Sequence, residues 1–294
     1  QFEIAILICT LLLVPFVGHV VRRLNDMGRS AWWAWVCLVP IASYALLIWL
    51  LVSKPRDTKR HASVPLRRAG FAVSCCLAMV IFSRLFWAPY WIPAGSMKPT
   101  LLIGDFVVAV PIRGQVERGD VLIFKHPVNG SDYIKRVIAF GGETVQVKNG
   151  VLFIDGEEMP QQPAGDFAEA FEPQGAYKHL PRCANGPVGF GQPCLKVKRS
   201  ETLPNGASYN VLDIKPAKSD NTPLITVPAG QLFFLGDNRD NSSDSRFDQR
   251  VGGLGFVPVE NLMYRAKTVL FSSRGTSMAA VWTWRAGRFW KPIQ

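Results

Sequence analysis

The chain has 294 residues, 48% of them hydrophobic, and its 33 Lys and Arg against 22 Asp and Glu leave a formal charge of +11. That length holds one or two domains with a full core. The basic residues fall in short hydrophilic gaps and near the C-terminus, with no basic helix and no aromatic-interleaved motif of the kind that reads RNA. Nucleic acid is therefore set aside as a partner, and anionic lipid headgroups account for the charge.

The apolar excess sits in the first ninety residues, in runs over 2–21, 31–52 and 69–88. About twenty helical residues cross the roughly 30 Å hydrocarbon core, so each run is long enough to span. Trp32, Trp33, Trp35, Trp49, Trp87 and Trp91 stand near the run ends, where aromatic belts form. No small-residue cleavage site precedes a hydrophilic start, so a cleavable leader is not expected. The chain opens on Gln1 rather than Met, which implies sequence upstream.

Residues 53–68 carry Lys54, Arg56, Lys59, Arg60, Arg67 and Arg68 against the single acid Asp57. The positive-inside rule places this loop in the cytoplasm and everything after the third run on the outer side. VRRLNDMGRS carries three arginines too, which conflicts with three full spans. Pro40 in the middle of 31–52 suits a shallow hairpin as the resolution. RRLNDMGRSAWWAWVCLVPIASYALLIWLL resembles a small bacterial inner-membrane family of unassigned function, which implies membrane residence and no chemistry.

Of six cysteines, Cys9, Cys37, Cys75 and Cys76 lie in apolar segments and read as small hydrophobes. Cys183 and Cys194 bracket a Gly/Pro-rich loop without metal-ligand spacing. A disulfide is the preferred reading if that region faces an oxidising compartment, and two free thiols the alternative.

From residue 104 the pattern turns to short β-branched and aromatic runs: FVVAV (106–110), VLIF (121–124), YIKRVIAF (133–140), TVQVKNGVLFIDG (144–156), ITV (225–227) and QLFFLG (231–236). Turn residues punctuate them, and KNG between two alternating runs predicts a hairpin. Residues 157–224 are rich in Pro and Gly with weaker patterning and read as an insertion. The predicted organisation is a membrane anchor over 1–90, a β-rich core over 91–156 and 225–275, the insertion, and a basic aromatic tail over 276–294.

Three segments could carry chemistry. In WIPAGSMKPTLLIGDF, Ser96 follows Gly95 between Pro93 and Pro99, in a turn or extended stretch. A lone Ser in a turn is usually structural. In GSDYIKRVIAF, alternation puts Lys135 on the face of Tyr133 and Val137, and Arg136 on that of Ile134 and Ile138. Desolvation there would lower the lysine pKa, as a base near neutral pH requires, whereas an edge lysine would snorkel to water. LFFLGDNRDNSSDSRF runs from an apolar strand into a dense loop of acids alternating with Arg239 and Arg246. Its register from Asp240 through Ser242 and Asp244 lacks the glycine and final acid of a calcium loop.

PAGSMKPTLLIGD, RGDVLIFKHP with DYIKRVIAFGGE, and GDNRDNSSDSR, in this order, resemble the boxes of type I signal peptidases, over roughly residues 87–270. The resemblance implies a mainly β catalytic domain with an antiparallel β insertion, preceded by transmembrane α-helices in the bacterial inner membrane. It implies Ser96 as nucleophile and Lys135 as general base, with no metal or cofactor. Ser242 matches the serine whose hydroxyl orients the lysine amine. Asp244 and Arg246 match a supporting ion pair, and Gly236 and Asp237 open the same box. By the same likeness Ile92, Met97, Leu101, Ile123, Tyr133 and Ile134 line shallow pockets for small signal-peptide residues, in an Ala-X-Ala pattern. The implied partners are secretory pre-proteins and the lipid bilayer.

One position departs from the pattern. Ala94 stands where many relatives carry a serine that helps stabilise the oxyanion, which leaves backbone N–H groups to do more. His126, after VLIF and before Pro127, is the rival base and is expected to be exposed. The other readings are a specialised Ser–Lys peptidase of the conjugation type, and a non-enzymatic interaction module, which would be expected to have lost these residues.

Overall fold

The computed structural model describes residues 86–274 and 280–293, with isolated positions between 18 and 49. The three apolar runs, the basic loop between the second and third, and the four apolar-segment cysteines lie almost wholly outside the described residues. Among those described, no helix is long and apolar enough to cross a membrane. The chain divides into a unit over 1–86 and a unit over 87–294.

The runs with β-branched and aromatic residues form strands of the predicted type, with burial alternating in Asp105–Pro111, Thr144–Lys148 and Val151–Ile154 and nearly continuous in Val121–Lys125, Asp132–Phe140 and Gln231–Leu235. In order these are β1 (Ala88–Trp91), β2 (Asp105–Pro111), β3 (Val121–Lys125), β4 (Asp132–Phe140), β5 (Thr144–Lys148), β6 (Val151–Ile154) and β7 (Glu157–Glu158). Then come β8 (Gln161–Ala170), β9 (Pro193–Thr202), β10 (Ser208–Asp213), β11 (Ile225–Thr226), β12 (Gln231–Leu235), β13 (Val257–Pro258), β14 (Leu262–Ser272) and β15 (Lys291–Pro292). The main sheet is antiparallel and runs β1-β2-β14-β3-β4-β12-β13, with β15 added beside β14. A four-stranded sheet, β11-β5-β6-β7, and a three-stranded one, β10-β9-β8, flank it. The KNG turn joins β5 to β6 with Asn149 and Gly150 both at positive φ, the conformation a tight hairpin demands.

Three apolar clusters fix how the sheets meet. Ile138 and Phe233 from the main sheet close on Val145, Leu152, Ile154 and Val211, joining the smaller sheets to it. Leu122, Phe124, Val137, Phe234 and Val257 form a second cluster. The third gathers Ile92, Met97 and Leu101 against Val107, Val121 and Val269, which seats the loop after β1 on the sheet. Each fully buried residue of this size contributes roughly 1.5–3 kcal/mol of transfer free energy.

The C-terminal segment, expected as a basic tail, is built into the sheet. Arg288 makes two-pronged contact with the buried Asp105, with Nε to Oδ1 at 2.9 Å. Trp284 stacks on Phe271 at 4.4 Å, and β15 pairs with β14 at Thr268–Pro292. Trp282 and Trp290 remain exposed.

Candidate active site

The loop after β1 is pinned from both sides. The Ile92 N–H donates to the Asp105 carbonyl and the Leu101 N–H to the Met97 carbonyl, while Met97 and Leu101 are buried. Ser96 sits between these anchors. Its carbonyl accepts from the Asn238 N–H at 3.0 Å, and Asn238 Nδ2 donates to the Gly95 carbonyl at 2.9 Å. A Cβ on Gly236 would fall inside van der Waals contact with Ser242 Oγ and the Ser96 carbonyl, so glycine is required there. The loop after β12 therefore holds the backbone of Ser96.

Lys135 reaches the same point from β4. Its Nζ donates to Ser96 Oγ at 2.8 Å and to the Ile134 carbonyl at 3.1 Å. The side chain is 4% exposed and lies over the Tyr133 ring. Burial pushes the ammonium down from 10.5 to about 8, against the opposing pull of Asp244 and then Asp237. At that value an appreciable fraction is neutral near physiological pH, so the amine can accept the hydroxyl proton.

Asp237 and Asp244 are each held by an arginine. Arg136 grips Asp237 with Nε to Oδ1 at 2.8 Å and Nη2 to Oδ2 at 2.7 Å, and Thr100 Oγ1 donates to the same carboxylate. Arg246 grips Asp244 at 2.8 and 3.0 Å, and the Gly236 N–H donates to Asp244 Oδ2 at 3.1 Å. A third pair joins the box to the insertion: Arg239 bonds Glu201, which also accepts from Tyr209. Paired charges of this kind are costly to break singly because the survivor stays buried.

The predicted residues fare differently. Ser96, Lys135, Gly236, Asp237, Asp244 and Arg246 come together. Ser242 lies against Gly236, but its Oγ is buried and bonds neither Lys135 nor any other group. Ile92, Met97, Leu101 and Ile123 are core residues, whereas Tyr133 and Ile134 are half-buried. His126 is buried rather than exposed, because its Nδ1 accepts from the Val128 and Asn129 N–H groups and its ring packs on Tyr133. With Nδ1 accepting, the neutral ring carries its proton on Nε2, which leaves no free lone pair for a base. Cys183 and Cys194 are disulfide-bonded, with Cα atoms 5.0 Å apart.

Sequence reasoning gave no role to Asn238, Thr100, Arg136 or Glu201. Asn238 stands inside the quoted box and was legible there. Glu201 meets Arg239 across 38 residues, and no local pattern signals that pairing.

Residues 66–271 match the family described as "Signal peptidase, peptidase S26". The chain belongs to this family. Residues 1–61 match a family of unknown function, DUF805. Signal peptidase I of Rickettsia typhi is 31% identical over 75% of this chain and 85% of its own length. That of Rickettsia prowazekii is 32% identical over 70% and 80%. A solved signal peptidase I from Enterococcus faecalis aligns at 23% identity over 51% of this chain and 96% of that one, with a TM-score of 0.26, too low to bear on the fold. As a signal peptidase the chain is a serine peptidase that removes signal peptides from pre-proteins.

Proposed function

We propose that the signal peptidase chemistry runs through a Ser96–Lys135 dyad, and the observation that carries this is the 2.8 Å bond from a buried, partly neutral Lys135 to Ser96 Oγ. Ser96 Oγ attacks the carbonyl carbon at the cut while its proton passes to Lys135 Nζ. The tetrahedral intermediate collapses as Lys135 returns that proton to the leaving amine. The signal peptide is left as an ester on Ser96, and Lys135 then takes a proton from the water that hydrolyses it. The Ser96 N–H makes no bond within the described residues and is free for the developing oxyanion. Asp237, Asp244 and Arg246 position the loop around Ser96, and Ser242, packed against Gly236 with its Oγ unbonded, is the hydroxyl of that loop left to steady the amine.

The half-buried Tyr133 and Ile134 flank the dyad and suit small residues before the cut, with the buried Ile92, Met97, Leu101 and Ile123 shaping the surface from below. The apolar runs in the first ninety residues anchor the enzyme in the membrane, with the β domain on the outer side. Exposed Trp282 and Trp290 suit contact with headgroups. Incubating the membrane-bound enzyme with a pre-protein tests the dyad: Ser96→Ala should yield no mature product, and retained cleavage would remove Ser96 from its role.

A further inference from the structure

Beside Ala94, Gly95 and Ser96 a cleft of about 260 Å3 opens, more polar than apolar in its lining, and none of Tyr133, Ile134 and Lys135 lines it. That lining includes three cationic side chains, Lys98, Arg182 and Lys196, and no carboxylate. Glu169, which does not line the cleft, bonds both Lys98 and Lys196 at once, so two cations share one acid. Arg182 is exposed, and the bond its guanidinium makes is to a backbone group, Nη1 to the Asp240 carbonyl at 3.1 Å. The Asp240 carboxylate is turned to the N–H groups of Ile214 and Lys215 instead.

We propose that this cleft receives the first residues of the mature chain, on the leaving-amine side of the cut, and favours a carboxylate there through Arg182. The inference rests on Ser96 being the nucleophile. A substrate that lays its small, uncharged signal-peptide end against Tyr133 and Ile134 leaves the cleft, which those residues do not line, for the stretch beyond the cut. A cationic lining with no acid stabilises a carboxylate in that second stretch and repels a lysine.

The wall carrying Arg182 is held in place. Cys183, the next residue, is bonded to Cys194 on β9, two positions from Lys196. At its other end Gln174 and His179 exchange backbone hydrogen bonds at 2.9 and 3.1 Å, and Gln174 Oε1 accepts from Lys98 Nζ at 2.7 Å. The disulfide thus ties the exposed cation to the strand bearing a buried one. Contacts to the mature chain end when it departs, so they act on formation of the ester and not on its hydrolysis.

The test uses peptide substrates with Glu, Ala or Lys at each of the first four positions after the cut, assayed with the wild-type chain, Arg182→Gln and Arg182→Glu. We expect Glu over Lys by about three- to tenfold in kcat/KM at one or two positions, shrinking with added salt, as for a partly exposed ion pair. The ratio should fall in Arg182→Gln and reverse in Arg182→Glu, with the hydrolysis step indifferent to the substitution. No preference in the wild type, or the same ratio in all three proteins, would overturn the proposal. Ser96→Ala run in parallel separates the two readings: cleavage by that variant sinks the nucleophile whatever the ratio shows.

Discussion

Two buried lysines stand near Ser96. Lys135 bonds a hydroxyl and a carbonyl, whereas Lys98 bonds the Glu169 carboxylate at 2.5 Å and Gln174. Burial lowers the pKa of both, but at Lys98 the bonded carboxylate works to restore the charge. Lys135 has two acids nearby and bonds neither, since Arg136 and Arg246 occupy Asp237 and Asp244. A buried lysine becomes a base when its acids are kept for other cations, and remains structural when one is left for it.

The hardest break of that contrast is Lys135→Arg. A guanidinium stays protonated at any working pH, so kcat should fall by about 10²–10⁴-fold, the usual worth of a positioned base. Lys98→Met should cost catalysis far less, and steady-state kinetics of both variants would reveal equal losses if the contrast were wrong. In the wild type, kcat/KM should climb with pH through about 8 as Lys135 loses its proton. The linked stability follows the same sign. The folded pKa lies below the unfolded 10.5, so the unfolded chain binds more protons between about 8 and 10.5, and this group's contribution to stability rises with pH across that window.

Arg246→Met sharpens the comparison. Asp244, freed from its partner, should pull Lys135 back toward the charged form and move the acid limb of the pH–rate profile upward by about half to one unit. An unmoved limb would show that the pair supports the loop without tuning the base. Loss of the disulfide through Cys183→Ala should lower stability by about 2–3 kcal/mol in the chain-entropy account, read by denaturant titration, and leave the dyad competent. The smallest effect belongs to Ala94→Ser. A hydroxyl beside the exposed Ala94 should raise kcat by about two- to fivefold, well below the 10²–10³ lost when a relied-on oxyanion donor is removed. A change confined to KM would place that side chain away from the oxyanion.

Much of this arrangement could be read in the chain itself. FVVAV became β2 because its alternation matched a half-buried sheet, VLIF and YIKRVIAF became β3 and β4 as apolar runs buried on both faces, and KNG made its hairpin because both turn residues tolerate positive φ. The long strand β14 was passed over, since LMYRAKTVLFS places Arg265 and Lys267 among its apolar residues and breaks the period. β8 was hidden for another reason: most of QQPAGDFAEA faces solvent, and its partner β9 is supplied from beyond the disulfide loop. Ser96 and Lys135 were recognisable from their boxes. The surroundings of Ser96 were not, because Glu169, Gln174 and Lys196 reach it only through tertiary packing.

Arg288 and Asp105 carry a further consequence, for the order in which the enzyme is made. Asp105 begins β2, directly after the loop bearing Ser96, and is fully buried with Arg288 as its counter-charge. The two are 183 residues apart, and synthesis adds the arginine last. Until residue 288 has left the ribosome, a lone carboxylate at the base of the Ser96 loop resists burial, and the sheet lacks the strand that pairs with β14. A chain stopped before residue 288 is therefore expected to cleave a pre-protein far less than the full chain, the working serine arriving only with the completed domain.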